Sequence, residues 1–176
     1  HLERGCGKRR LTAGMAAQHA DRLFSAVEKV PDAMVVAMER GCARELGNVR
    51  FLDRDAANLL EMFAPGEVSR IYINFPDPWP KKKQFKRRLT APSFQKLYAE
   101  VLVPGGEIWF KTDNLPLFEW SVEELRAGGW ELREVTNDLH GQGISGVMTD
   151  YEAKFHAQGV KINRLVAVKR EGTLCG

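Results

Sequence analysis

No apolar run in this chain approaches the ~18–20 residues a helix needs to cross a bilayer; there is no internal repeat or low-complexity tract, and no signal peptide is expected. Cysteine is scarce. Cys6, Cys42 and Cys175 are odd in number, widely spaced and form no Cys-x-x-Cys pair, so neither a disulfide framework nor a zinc site is supported. A reducing cytoplasm is then the default compartment. His19, His140 and His156 are scattered singly, a pattern of surface or capping residues and not of metal ligands. After Gly5 and Gly7 a third glycine is missing from the dinucleotide register, because position 10 is Arg10, which argues against a nicotinamide dehydrogenase. The chain opens at His1 without a methionine, and His1-Leu2-Glu3 reads as the end of a strand. We therefore expect a single domain over residues 1–176, trimmed of the N-terminal part of its fold.

What is present is concentrated in one place. The formal charge of +3 hides a local imbalance: residues 81 to 88 hold six Lys/Arg and no acid, leaving 20 of the 26 basic side chains against all 23 acidic ones elsewhere. A mildly acidic body with one basic stripe favours an oriented nucleic-acid contact over diffuse binding. Directly before that stripe runs Ile71-Tyr72-Ile73-Asn74-Phe75-Pro76-Asp77-Pro78-Trp79-Pro80. Each proline fixes its own φ and pushes the residue before it toward extended geometry. Asn74, Asp77 and Trp79 are thus expected on a stiff extended segment beyond a strand. A carboxylate and an aromatic beside a phosphate-binding track suggest chemistry on a nucleic-acid base. Trp79 is open to two readings, a stacking platform for a base or a packing anchor.

Strand-like and helix-like stretches alternate. Strands are expected over 23–27, 49–52, 70–75, 107–112, 130–136 and 162–169, and helices over 32–46, 56–63, 91–102 and 120–127. Pro92 suits the first turn of its helix, where Phe94, Leu97, Tyr98 and Val101 recur at helical spacing. Pro104-Gly105-Gly106 is read as that helix's stop, and the stretch between the last two strands as loop-rich. The fold class is α/β: a doubly wound, mostly parallel Rossmann-like sheet with an antiparallel edge strand. Ligands of such sheets collect beyond the carboxyl ends of the strands, near the topological switch point.

Acidic residues mark those ends. Glu3 precedes Gly5 and Gly7 at the first turn, where absent side chains let backbone approach a ligand closely. Glu28 stands about 20 residues on, where an acid accepts ribose hydroxyls. Asp55-Ala56 ends the third strand, either to read an adenine edge or to cap the next helix. An acidic rim without the third glycine favours a cationic nucleoside ligand over a dinucleotide, and S-adenosylmethionine fits that description.

With these pieces assembled, the chain resembles the bacterial tRNA (guanine-N7-)-methyltransferases, a class I S-adenosylmethionine-dependent family, over essentially its whole length. The residues that carry the resemblance are Asn74 through Lys82, Lys86-Arg87-Arg88-Leu89, Pro104-Gly105-Gly106, Lys111-Thr112-Asp113-Asn114 and Thr149-Asp150-Tyr151-Glu152-Ala153-Lys154-Phe155. The resemblance implies methyl transfer to a variable-loop guanosine, position 46, of tRNA. It implies that Glu3, Gly5, Gly7, Glu28, Asp55, Ala56 and Asp77 line the donor site, with Asp77 also the central carboxylate. Lys81, Asp113, Thr149, Asp150, Tyr151 and Glu152 would contact the guanosine, and Lys83, Lys86, Arg87 and Arg88 would track RNA. No metal and no membrane are implied, and the protein would be a monomer or homodimer. Two positions depart from the family: Arg9 replaces a glycine, and Arg4 replaces an apolar residue in the first strand. Tyr151 and Glu152 also fit a helix start with Thr149 as N-cap. Two other readings stay open, an amino-methyltransferase on another base and a non-catalytic RNA-binding subunit.

Overall fold

The computed structural model describes residues 1–4, 11–28, 47–141, 148, 150–170 and 173. Among them seven strands form one sheet: β1 (Leu2–Arg4), β2 (Phe24–Glu28), β3 (Val49–Asp53), β4 (Val68–Asn74), β5 (Leu102–Thr112), β6 (Glu131–Thr136) and β7 (Asn163–Val168). Their spatial order is β3-β2-β1-β4-β5-β7-β6. The chain steps outward from β1 to β3 and then returns to lay β4 on the other flank of β1. The gap between the carboxyl ends of β1 and β4 is therefore the switch point. β1 to β5 pair in parallel, whereas β7 runs antiparallel to both β5 and β6. The doubly wound sheet is as expected, with the reversed strand slotted just inside the edge strand.

Among the described residues five α-helices accompany this sheet: α1 (Leu11–Gln18), α2 (Leu59–Met62), α3 (Pro92–Val101), α4 (Leu115–Ala127) and α5 (Asp150–Ala157). Ile71, Tyr72 and Ile73 are buried in succession, as a central parallel strand covered on both faces requires. One face of the sheet packs Leu2, Ile71, Ile73, Ile108 and Phe110 against Tyr98 and Val101 of α3 and Leu117 and Leu125 of α4. On the other, Phe24 and Tyr72 meet Ala16 of α1. No helix among the described residues is long and apolar enough to cross a membrane.

Several boundaries differ from expectation for local reasons. The helix expected over 32–46 lies outside the described residues. Pro104-Gly105-Gly106 does not stop α3, which ends at Val101. The three residues fall inside β5, because the Gly105 amide donates to the Lys169 carbonyl (3.1 Å) and the Lys169 amide to the Gly106 carbonyl (2.8 Å). Gly105 has φ +76°, a conformation only glycine adopts cheaply, where the β4–β5 register shifts. α4 begins at Leu115 and not at Trp120, since the Asn114 side chain caps it by accepting from the Leu117 amide (2.9 Å). The stretch read as loop-rich contains α5.

Candidate active site

The acids expected to line a donor site lie in or just after strands. Glu3 lies in β1 in register with Ala26 on one side and Tyr72 on the other. Its carboxylate is buried and accepts a hydrogen bond from the Thr12 hydroxyl on α1. At the ends of β2 and β3, Glu28 and Asp53 are register partners. Asp55 follows, and its Oδ1 accepts from the Ala57 amide (3.0 Å), capping the 3-10 turn Ala56–Asn58 that leads into α2. The capping reading of Asp55 is thus realised. Gly5, Gly7 and the departure at Arg9 lie outside the described residues. At Arg4 the backbone pairs with Val27 and Ile73.

Beyond β4 the chain does not run on as an extended ribbon. Phe75 and Trp79 have φ of +48° and +44°. Both precede a proline, and such left-handed values cost non-glycine residues on the order of 1–3 kcal/mol each unless the surroundings enforce them. The enforcement is visible at both points. The Phe75 amide donates to the Lys111 carbonyl (2.8 Å), and the Phe75 ring packs with Leu139 and Ile162. At Trp79, Arg88 holds the turn: its Nε donates to the Pro78 carbonyl (2.9 Å) and its Nη2 to the Trp79 carbonyl (3.3 Å). Between the two bends Asp77 is exposed, facing solvent beside the switch point.

Residues expected to contact the guanosine lie at the neighbouring strand end and on α5. The Thr112 hydroxyl accepts from the Asn114 amide (3.1 Å), and its carbonyl accepts from Asn163 Nδ2 (3.0 Å). That turn presents Asp113 to solvent. Glu152 on α5 accepts from Lys111 on β5, with Nζ 3.2 and 3.0 Å from its two oxygens. His140 Nε2 approaches the same carboxylate at 3.5 Å, and its ring lies 4.4 Å from that of His156. Asp150 and Tyr151 form the first turn of α5, whereas Thr149 lies outside the described residues.

The basic stripe is a 3-10 helix over Lys82–Arg87, with Lys81 as its N-cap. Lys81, Lys82, Lys83, Lys86 and Arg87 are exposed. The Arg87 guanidinium lies over the Trp79 ring, 5.0 Å from its centroid. Arg88 breaks from this group and corrects the expectation that it tracks RNA. It is 4% exposed. Its guanidinium sits 3.6 Å from the Phe85 ring centroid and 4.6 Å from that of Trp120, and burial draws its pKa below the usual value.

A family model described as "Putative methyltransferase" matches residues 1–165. The tRNA (guanine-N(7)-)-methyltransferase of Bacillus subtilis (strain 168) is 45% identical over 165 residues, covering 93% of this chain and 78% of that protein. The enzyme of the same name from Lachnoclostridium phytofermentans is 42% identical over 173 residues, covering 97% and 81%. The chain belongs to the tRNA (guanine-N(7)-)-methyltransferase family. Its fold is also that of the geranyl diphosphate C-methyltransferase of Streptomyces coelicolor A3(2), solved with S-adenosyl-L-homocysteine, at a TM-score of 0.61 and 13% identity over 96% of this chain and 71% of that one.

Within this methyltransferase, sequence reasoning missed the partners that hold the site residues. Thr12 behind Glu3, Lys111 and His140 around Glu152, and Trp120 behind Arg88 come from other elements. No spacing rule links them to the residues they hold. Lys111 alone carried a signal: it alternates with buried Phe110 and Thr112 at the end of an apolar strand, where a partly buried cation needs a carboxylate.

Proposed function

We propose that this protein transfers the methyl group of S-adenosylmethionine to N7 of a variable-loop guanosine, position 46, in tRNA. The observation that carries this reading is Asp77. It is an exposed carboxylate fixed between two left-handed bends at the switch point, with a helix of exposed cations starting five residues later. The names of the 42% and 45% identical relatives support the same reaction.

The described residues suit a cationic donor. Glu3 lies in β1, Glu28 ends β2, Asp55 follows β3 and Asp77 follows β4, on the two sides of the switch point. These four would hold the donor, which when bound supplies an electrophilic sulfonium methyl. Guanine N7 bears a lone pair and no proton at neutral pH, so no general base is required at the nucleophile. The protein's task is alignment and charge placement. Asp77 and Asp113 are the exposed carboxylates able to accept from guanine N1–H and N2–H and to steady the positive charge that methylation leaves on the purine. Lys81 borders them, and Glu152, fixed by Lys111, closes the far side. Lys83, Lys86 and Arg87 carry the phosphate backbone. A tRNA substrate also suits the cytoplasm expected from the cysteine pattern.

Borohydride reduction and aniline treatment cleave RNA at N7-methylguanosine. Transcripts modified by the full-length protein are expected to break at one variable-loop site. Asp77→Ala should lower turnover by orders of magnitude with tRNA affinity nearly kept. An amino-methylated base in the mass spectrum, or a fully active Asp77→Ala, would refute the assignment.

A further inference from the structure

Arg88 is a cation that the sequence groups with the RNA-binding stripe and the structure withdraws from it. Its guanidinium lies against both Phe85 of the basic 3-10 helix and Trp120 of α4, two rings that themselves meet edge-on at 5.5 Å. Among the described residues no carboxylate pairs with it. Its directed contacts are the carbonyls of Pro78 and Trp79, the two residues after Asp77. The backbone at its own position is fixed as well: its amide donates to the Phe85 carbonyl (3.0 Å), and its carbonyl accepts from the Ala91 amide (3.0 Å) at the entry to α3.

We infer that Arg88 is a positioning residue for methyl transfer, a two-pronged clamp that fixes the Asp77 turn and couples it to the RNA-binding helix. The left-handed φ of Trp79 is unfavourable before a proline, so the turn keeps its shape only while an outside group over-determines it. Two parallel N–H donors on a rigid plane, stacked on aromatic rings, provide this. A lysine ammonium offers one compact charge and no plane to stack, so it cannot replace both contacts. Because Phe85 and Arg88 sit one 3-10 turn apart, a phosphate seated on Lys83, Lys86 or Arg87 bears on the same short helix that holds the clamp. RNA docking and carboxylate placement are thereby joined through one side chain.

This inference rests on the methyltransferase reading above, and the experiment separates the two. Arg88→Lys is compared with wild type by single-turnover N7 methylation at saturating donor and tRNA, by tRNA binding at several salt concentrations, and by thermal melting. A misplaced reacting group costs up to about 100-fold in rate. The expected result is a fall of at least about tenfold in the single-turnover rate, with tRNA affinity within about twofold and an unchanged slope of log affinity against log salt. A weaker affinity with the slope flattened by about 0.7–0.9 and the rate kept at saturation would make Arg88 a phosphate ligand and overturn the proposal. A lower melting temperature with rate and affinity intact well below it would make Arg88 merely structural, and would also overturn it. If Arg88→Lys does not fold, Trp120→Leu loosens the same clamp from α4, away from the RNA-binding helix. It should slow the single turnover severalfold with tRNA affinity held, and an unchanged rate refutes the clamp. Wild-type protein that yields no N7-methylguanosine would defeat the functional reading itself, whatever Arg88 does.

Discussion

Replacing Lys111 with methionine keeps much of its volume and removes the ammonium that Glu152 faces. The Lys111 side chain is 13% exposed and that of Glu152 2%, with Nζ and Oε2 3.0 Å apart. Removing one partner of a buried pair typically costs about 3–5 kcal/mol, because the remaining charge is left without compensation. The lower end, about 3 kcal/mol, is expected here, since His140 at 3.5 Å stays beside the same carboxylate. Lys111→Met/Glu152→Gln removes both charges of the pair, and the double variant should return to within about 1 kcal/mol of wild type. Urea unfolding followed by tryptophan fluorescence reads both numbers, provided that the denaturant slope is the same for all variants. A loss under about 1 kcal/mol for Lys111→Met, or a double variant no more stable than it, would show that the pair does not tie α5 to β5. Activity then separates fold from function: the double variant should be stable yet slow, because it lacks the Glu152 carboxylate read as a substrate contact.

Lys83, Lys86 and Arg87 changed together to alanine should weaken tRNA binding chiefly at low salt and flatten the slope of log affinity against log salt by about 2–3. That is three phosphate contacts of about 0.7–0.9 each, with Arg88 left out of the count. An unchanged slope would reduce the stripe to a solvated face. Asp138 accepts from the Gly141 amide (3.1 Å) and pairs with Lys161 (3.4 Å), and the amide foremost holds its carboxyl below the usual range. A depressed folded-state value stabilises above the unfolded carboxyl pKa of about 3.9 and is lost as pH falls through the folded one. The melting-temperature gap between wild type and Asp138→Asn should therefore hold at neutral pH and narrow under acid; a gap that widens as pH falls would refute the assignment.

The sheet was legible because its strands are short apolar runs separated by turn residues, and because the acids stand where those runs stop. Ile71 to Asn74 needed no more than that. The boundary errors share one cause, long-range hydrogen bonds that override local preference. Pro104-Gly105-Gly106 carries every local sign of a helix stop, yet Lys169, from beyond β7, bonds its backbone into β5. The proline turn shows the same effect at the site. Proline alone pushes Phe75 and Trp79 toward extended backbone. The bonds from Phe75 to the Lys111 carbonyl and from Arg88 to the Trp79 carbonyl reverse that preference, and no count of prolines foretells it.

Which cation of Lys86-Arg87-Arg88 turns inward was nevertheless decidable from period. In a 3-10 helix residues three apart lie on one edge, so Phe85 and Arg88 share a face, as do Lys83 and Lys86. The aromatic inside this basic helix packs inward on Trp120, and its i+3 neighbour Arg88 follows it. Arg87 instead falls on the edge from which it reaches the exposed side of Trp79. The segment therefore divides its positive charge by geometry, with Lys83, Lys86 and Arg87 outward and Arg88 inward. Composition recorded that charge as one stripe because it counts residues without regard to face.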